Sequence, residues 1–361
     1  MRIVLKLGSS LLNGGSGVNT IFIDQLASQV LSMQEHEFAI VTSGAISTGM
    51  KKLGLNEKPK DVAMLQALAA IGQSDLMHAY ENAFEERKTL AQVLLTNADF
   101  SNRMKYLNIR NTLNTLMAHK VVPIINENDT VTVLDIKKSA FGDNDALAAH
   151  VAVAIDADLL LIFTDVDGLF DKNPKEAGAK LIREVKSVTD DTLGMCSGAN
   201  ALGRGGMAAK LRAAKIASEA SVKVIVANGT KNGSLATAIS GEAGTVFLPA
   251  DKPRLSEGKH WLAFASEPKG RITVSGQAMS CAIGKNCGII PQHVLSVSGI
   301  FDKGDVVEIA GDDGRVLCKG ITNYFSHELE RIRGKDIESI CRELGFVYTE
   351  VVGSSDMAVV V

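Results

Sequence analysis

The sequence predicts an α/β fold in which a mainly parallel sheet is sandwiched by helices, followed by a small β-barrel-like domain. Short apolar runs alternate with longer segments of helical period along the first two thirds of the chain. One run, residues 159–163, is apolar throughout, as expected of a central parallel strand buried on both faces. From Gly270 onward, short apolar runs are separated by Gly, Asp and Pro, which is typical of a small all-β domain.

The composition indicates a globular protein and excludes a general attraction to polyanions. The chain has 361 residues, 46% of them hydrophobic and 22% charged, with a formal net charge of −3. Five cysteines with no Cys-x-x-Cys pair are interpreted as free thiols in a reducing compartment. The N-terminal apolar run is too short for a signal peptide, and two aspartates interrupt the apolar stretch at 151–163. We therefore expect a cytoplasmic protein without a membrane span.

The first domain is expected at residues 1–250, followed by a linker at 251–268, a second domain at 269–347 and a C-terminal tail at 348–361. Apolar runs in the first domain predict strands at 3–7, 38–42, 91–95, 121–125, 159–163, 223–227 and 245–247. Helical periodicity predicts helices at 21–34, 62–84 with an interruption near Gly72, 103–119, 144–155 and 211–220. The second domain is predicted to have strands at 271–274, 294–297, 305–309 and 316–318 and a helix at 337–344.

A dense group of carboxylates and amides lies at residues 126–129 and 143–145, between a β-branched run and an alanine-rich run. This is more polar chemistry than a structural turn requires. Residues at the end of a buried strand and the start of a helix are well placed to hold a small charged molecule.

Three junctions have the layout of an anion site. Lys6 precedes a Gly-Ser-Ser turn, Ser43 and Gly44 follow the second strand, and a glycine-rich loop at 203–210 opens a helix that carries Lys210. Each has a simpler interpretation: an edge-strand lysine, close packing, and a flexible loop with a solvated lysine. The glycine-rich loop matches neither a P-loop nor a Rossmann fingerprint.

Several segments together resemble the amino acid kinase superfamily: residues 4–12, 41–46, 123–129, 142–145, 164–170 and 203–210. The combination Thr42-Ser-Gly-Ala-Ile, Ile125-Asn-Glu-Asn-Asp and Gly142-Asp-Asn-Asp is similar to the glutamate 5-kinase family. Val297-Ser-Gly-Ile-Phe-Asp-Lys-Gly-Asp and Gly320-Ile-Thr-Asn-Tyr-Phe resemble the PUA domain that follows the kinase domain in many bacterial members. One departure is Arg204, where the family often has Thr before Gly-Gly-Met.

The resemblance implies ATP-dependent phosphorylation of the side-chain carboxylate of L-glutamate, the first step of proline biosynthesis. A carboxylate with a reference pKa of roughly 4.3 is ionised at neutral pH and needs no general base. By resemblance, Lys6 and Lys210 neutralise the phosphates and Asp145 holds both lysines, while glutamate is bound by Ser43, Asp129 and Asn144. The implied ATP-binding residues are Lys6, Gly8, Thr164, Asp165, Arg204, Gly205, Gly206, Met207, Ala208, Ala209 and Lys210. Mg²⁺ is expected with ATP, bridging phosphate oxygens.

The resemblance also implies feedback inhibition by proline, a homo-oligomer such as a dimer or tetramer, and delivery of the product to a glutamyl phosphate reductase. Alternative functions are an aspartate, acetylglutamate, carbamate or UMP kinase, or an RNA-binding PUA protein with a vestigial kinase domain. Residues 269–346 contain ten basic and ten acidic side chains, so they lack the net positive charge typical of RNA-binding domains.

Overall fold

The computed structural model describes residues 1–14, 17–131, 144–174, 176–194, 206–231, 233–250, 259, 261–285 and 287–360. The chain divides into two compact units. The first consists of Met1–Asp99 and Met104–Arg254, and the second of Phe100–Arg103 and Leu255–Val361.

The strands of the first unit are short, and those in the middle of its sheet are largely buried. They are β1 (Arg2–Leu7), β2 (Asn13–Gly14), β3 (Gly17–Val18), β4 (Glu37–Val41), β5 (Leu90–Leu95), β6 (Val122–Glu127), β7 (Leu159–Thr164), β8 (Glu184–Val185), β9 (Lys223–Asn228) and β10 (Thr245–Phe247). Within the described residues, an eight-stranded sheet has the order β5-β6-β4-β1-β7-β9-β10-β8. Its pairs are parallel except that β10 runs antiparallel to β9. The predicted α/β class with a mainly parallel sheet is confirmed.

Helices of very different length follow these strands. In chain order they are α1 (Ser9–Leu12), α2 (Thr20–Ser32), α3 (Ala45–Lys52), α4 (Val62–Phe84), α5 (Asn97–Ser101), α6 (Arg103–Ala118), α7 (Asn144–Ala154), α8 (Asp190–Gly194), α9 (Met207–Glu219) and α10 (Ser234–Ile239). No helix of the described residues is long and apolar enough to cross a membrane.

Strand β1 lies in the middle of the sheet, between β4 and β7. Lys6 on β1 faces Val41 and Ile162 in the two neighbouring strands and is only 6% exposed. The edge-strand interpretation of this lysine is therefore wrong. A lysine in the central strand needs a buried anion as a partner, because an unpaired charge in an apolar interior is very costly.

Helix α4 runs without the interruption that was predicted near Gly72. The glycine is needed for close packing against α3. A Cβ atom at Gly72 would lie 1.9 Å from the carbonyl oxygen of Ala45, and one at Gly49 would lie 2.0 Å from that of Leu68. The two helices thus meet backbone to backbone, and the prediction failed because local propensity does not report such an approach.

The second unit has its own sheet and core. Its strands are β11 (Gly270–Val274), β12 (Val294–Gly299), β13 (Val306–Ala310), β14 (Val316–Thr322) and β15 (Val352–Val359), in the order β12-β11-β13-β14-β15. Its helices are a π-helix (Trp261–Ala265), α11 (Gly276–Lys285), a 3₁₀ turn (Pro291–His293), α12 (Ser326–Ile332) and α13 (Ile337–Leu344). Only the last of these helices was predicted.

The C-terminal segment is part of this sheet rather than a separate tail. Strand β15 pairs antiparallel with β14, and Val351, Val352 and Met357 belong to the core of the unit. The prediction of a separate tail from residue 348 was wrong, because the apolar side chains of this segment are buried by a partner strand about thirty residues earlier in the chain.

Two cysteines of the second unit also differ from the expectation of free thiols. Cys281 and Cys287 form a disulfide with a Cα–Cα distance of 5.5 Å. The chain folds back after α11, and the Cys287 N–H donates to the carbonyl of Cys281. Cys318 is buried and Cys341 exposed, and both are free thiols.

Candidate active site

Two buried lysines meet one buried aspartate at the carboxyl end of the parallel strands. Lys6 Nζ lies 2.5 Å from Asp145 Oδ1, and Lys210 Nζ lies 3.0 Å from Asp145 Oδ2. Asp145 is the second residue of α7, and Lys210 lies in the first turn of α9, which packs on α7. The structure therefore brings together the three residues predicted as catalytic, although 139 positions separate Asp145 from Lys6.

The charges at this centre favour an ionised aspartate. Burial by itself would raise the pKa of the Asp145 carboxyl, but the charges and hydrogen bonds of Lys6 and Lys210 outweigh burial and lower it. One carboxylate thus faces two ammonium groups, leaving a local excess of one positive charge. Such a centre is suited to a further anion.

Asn144 is held by a chain of amides beside this centre. Its Nδ2 donates to the carbonyl of Thr42 (2.6 Å) and to Asn126 Oδ1 (3.0 Å). Asn126 Nδ2 in turn donates to Gln73 Oε1 at 2.8 Å. The Asn144 Oδ1 atom is buried without a hydrogen-bond partner in the described part of the chain, which leaves an acceptor available at this position.

A cavity of about 540 Å³ lies next to the lysine–aspartate centre. Nine of the predicted site residues line it: Lys6, Gly8, Ser43, Asp129, Asn144, Asp145, Thr164, Asp165 and Lys210. Its size suits a small ligand together with the phosphate end of a nucleotide. The predicted site residues therefore converge on one cavity even though they come from six separate segments.

Ser43 and Asp129 form part of the wall near Asn144. The Ser43 hydroxyl donates to the carbonyl of Leu7 at 2.9 Å, which joins the loop after β4 to the end of β1. Burial raises the pKa of Asp129 to about 6, and the nearby charge of Lys58 acts in the opposite direction. Asp129 is thus a half-buried anion at neutral pH that lacks full compensation by water.

The turn after β1 and the end of β7 form another part of the wall. The Gly8 N–H donates to the carbonyl of Phe163 at 3.0 Å, and a Cβ at Gly8 would lie 3.2 Å from the same oxygen. Thr164 donates through Oγ1 to Asp165 Oδ1 at 3.1 Å. These contacts place a hydroxyl and a carboxylate in the same cavity wall as the two lysines.

The start of α9 carries Lys210 into the cavity, and of the described residues just before Lys210, those at 206–209 do not line the wall. Gly206 is the N-cap of α9, and Met207, Ala208 and Ala209 form its first turn. An N-terminal turn offers free backbone N–H groups to an anion. Arg204 and Gly205, also predicted to bind ATP, lie outside the described residues.

The sequence analysis missed the wall residues Asn13, Met50 and Lys58, and it also missed Gln73, which accepts a hydrogen bond from Asn126. Lys58 lies between α3 and α4, where no motif marks it. Glu127, which belonged to the polar group noted in the sequence, also lines the cavity. Position in the fold, and not residue pattern, identifies Lys58 and Gln73.

The donor set of the cavity does not form a dedicated metal cage. No group of three or more His, Cys, Asp or Glu side chains suited to a metal ion occurs in the described part of the chain. Asp145 is engaged by both lysines, and Asp165 is a cavity carboxylate beside Thr164. This set fits an ion that arrives with phosphate oxygens and water as its main ligands.

The chain matches two family models. The amino acid kinase family matches residues 1–228, and the PUA domain matches residues 270–344. The glutamate 5-kinase of Caldanaerobacter subterraneus subsp. tengcongensis is 44% identical, covering 100% of this chain and 98% of the relative. The glutamate 5-kinase of Syntrophotalea carbinolica is 40% identical, covering 99% and 97%, respectively.

Among solved structures, the carbamate kinase from Giardia lamblia bound to AMP-PNP has a TM-score of 0.50 at 16% identity. The superposition covers 68% of this chain and 98% of the carbamate kinase chain. At this level of identity the likeness concerns the fold alone.

Proposed function

Because the chain belongs to the glutamate 5-kinase family of the amino acid kinases, we propose that it transfers the γ-phosphoryl group of ATP to the side-chain carboxylate of L-glutamate. The product would be L-glutamyl 5-phosphate, the first intermediate of proline biosynthesis. The observation that carries this proposal is the buried Lys6–Asp145–Lys210 centre beside a cavity of about 540 Å³.

The reaction joins two anions, so its main requirement is neutralisation of charge. An oxygen of the ionised glutamate side chain attacks the γ-phosphorus, the new C–O–P bond forms, and the bond to the β,γ-bridging oxygen breaks to release ADP. No proton has to be removed. Lys6 and Lys210 hold positive charge beside the transferring group, and Asp145 fixes both ammonium groups in place before the reaction begins.

The substrate is oriented by the polar wall around Asn144. We assign the glutamate ammonium group to Asp129, because a half-buried carboxylate is a suitable partner for it. Asn144 and Ser43 contribute polar groups next to the centre. Gly8, Thr164, Asp165 and the first turn of α9 are assigned to the nucleotide.

We assign Mg²⁺ to the phosphates of ATP, and Asp165 is the cavity carboxylate that would help to hold its water shell. The ion would spread the negative charge of the phosphates when it is bound. The contribution of the protein is the placement of the phosphates by Lys6 and Lys210.

Three further properties belong to the proposal through the family alone. They are inhibition by proline, assembly as a homo-oligomer, and consumption of the acyl phosphate by a reductase in the cytoplasm. A labile acyl phosphate requires rapid consumption, which is the chemical reason for expecting a reductase partner.

The test is ADP release from ATP and Mg²⁺ with glutamate, aspartate, acetylglutamate, carbamate or UMP as acceptor, each with and without proline. Release that depends on glutamate and is suppressed by proline supports the proposal. Release with another acceptor keeps the chemistry but removes the assignment of Ser43, Asp129 and Asn144 to glutamate. No release with any acceptor, in protein shown to be folded by circular dichroism, would overturn the kinase function.

A further inference from the structure

A third lysine lines the cavity in addition to the two at the catalytic centre. Lys58 lies in the connection between α3 and α4, directly before Pro59, and shares the cavity wall with Asp129 and Glu127. Lys6 and Lys210 both contact Asp145, whereas the charge of Lys58 acts on Asp129. The described wall therefore has one cation–anion pair away from the phosphoryl-transfer centre.

The two opposite charges of this pair correspond to the two charges of an α-amino acid. In an α-amino acid, the ammonium and carboxylate groups are attached to the same carbon atom. A protein that recognises both by charge must therefore place an anion and a cation side by side. Asp129 and Lys58 line the same cavity, and the charge of Lys58 lowers the pKa of the Asp129 carboxyl against the effect of burial. An acceptor bound with its ammonium group on Asp129 would therefore direct its α-carboxylate toward the Lys58 side of the cavity.

We propose that Lys58 is a specificity-determining residue that binds the α-carboxylate of the acceptor while Asp129 binds its ammonium group. This inference rests on the proposed function, since it concerns how the same cavity selects an α-amino acid. It goes beyond that function because no motif or family resemblance assigns a role to Lys58.

An exchange of partners keeps the charges balanced when the ligand binds. Before binding, the ammonium group of Lys58 offsets the half-buried carboxylate of Asp129. When the ligand binds, its ammonium group pairs with Asp129 and its α-carboxylate pairs with Lys58. In the unbound protein Lys58 offsets the burial of Asp129 only in part, so the ligand ammonium would add compensation that the carboxylate lacks.

The test measures binding of L-glutamate and of its α-amide by isothermal titration calorimetry. The α-amide keeps the ammonium group and the side-chain carboxylate but lacks the charge that Lys58 would bind. The variants are Lys58→Met, which keeps the length and removes the charge, and Lys58→Arg, which keeps the charge. Lys60→Met is the matched control, because Lys60 is an exposed residue of the same connection that does not line the cavity.

We expect Lys58→Met to weaken glutamate binding roughly tenfold, which corresponds to ~1.4 kcal/mol. Binding of the α-amide should be nearly unchanged, so the preference for glutamate over its α-amide should largely disappear. Lys58→Arg should restore most of that preference, and Lys60→Met should bind both ligands as the unmodified protein does.

Two results would overturn the assignment of Lys58. One is equal glutamate binding by Lys58→Met and Lys60→Met. The other is an equal loss for glutamate and its α-amide, which would mean that Lys58 acts without contacting the α-carboxylate. Both can occur while the unmodified protein phosphorylates glutamate, so they refute this inference alone. An unmodified protein that neither binds nor phosphorylates glutamate would refute the proposed function and this inference together.

Discussion

Replacing Asp145 by asparagine would leave two buried ammonium groups facing an uncharged amide. At separations of 2.5 and 3.0 Å, and with an effective dielectric constant of about 20, each lysine gains roughly 6 kcal/mol of gross Coulomb attraction from the carboxylate. Repulsion between the lysines and the desolvation of all three groups offset much of this attraction. Removing one member of a buried ion pair typically costs about 3–5 kcal/mol, and we expect Asp145→Asn to fall in this range.

The same substitution should reduce turnover more than ATP binding. The two lysines would still attract phosphate, so the KM for ATP should change little. Without the aspartate they are no longer fixed beside the transferring group, and kcat should fall roughly 10²-fold or more. The measurements are chemical denaturation in the absence of ligands and steady-state kinetics of ADP release.

Asp75→Asn provides the matched control, because it removes the same charge from an exposed pair. Lys52 Nζ lies 2.6 Å from Asp75 Oδ1, and both side chains are more than 40% exposed. We expect about 1 kcal/mol or less at this site and normal turnover. If Asp145→Asn behaves like Asp75→Asn in stability and kcat, the lysine–aspartate centre has neither the energetic nor the catalytic role assigned to it.

Three further predictions concern the walls of the cavity. Because burial raises the pKa of Asp129 to about 6, its neutral form predominates below that pH, and the KM for glutamate should rise as the pH falls through 6. In Asp129→Asn the KM should be high and independent of pH between 5 and 8. A pH dependence like that of the unmodified protein would mean that another group titrates. Gly72→Ala should lower the free energy of unfolding by about 3 kcal/mol and raise the KM for glutamate, because the added methyl group would collide with the α3 backbone. Ser74→Ala, on the exposed face of the same helix, should change neither quantity. An equally small effect of both substitutions would contradict the close packing. Gln73→Leu should raise the KM for glutamate several-fold and leave the KM for ATP unchanged, because the buried Asn126 amide loses its acceptor at a cost of about 1–3 kcal/mol. Gln73→Glu keeps an acceptor and should retain most of the activity. Equal activity of the two variants would show that the amide chain does not position the substrate.

The raised pKa of Asp129 also has a consequence for stability. A carboxyl whose pKa is higher in the folded protein than the unfolded value of roughly 3.9 stabilises the fold only while it is protonated. That contribution is fully present below about pH 4 and is lost as the pH rises through about 6. Without ligand, the protein therefore holds Asp129 ionised at neutral pH at the expense of stability, consistent with a group kept for binding.

The large domain could be predicted from the sequence because its signals are local. The continuous apolar run that became β7 and the alanine-rich run that became α7 determine their own structure and burial. The meeting of Lys6, Asp145 and Lys210 was expected only from the family resemblance. Periodicity places each residue at a strand end or helix start, but strand order decides which ends are neighbours.

Other features could not be predicted because they depend on distant partners. Strand β15 owes its formation to pairing with β14, and the uninterrupted α4 owes its glycine to the backbone of α3. No sequence motif surrounds Lys58, and a lysine between two helices is most often solvated, so the sequence did not mark it as a site residue. Its interest comes from sharing a cavity wall with Asp129, which is a long-range property of the fold.

The backbone contact between α3 and α4 also bears on how the cavity measures its ligand. Gly72 lies against the first turn of α3, which lines the cavity, and the next residue, Gln73, accepts a hydrogen bond from Asn126, which lines it too. Two backbones in contact cannot rotate away from each other as side chains do, and packed interiors resist compression. We therefore expect these consecutive residues of α4 to hold the cavity at a fixed width, which would disfavour an acceptor shorter than glutamate by one methylene group.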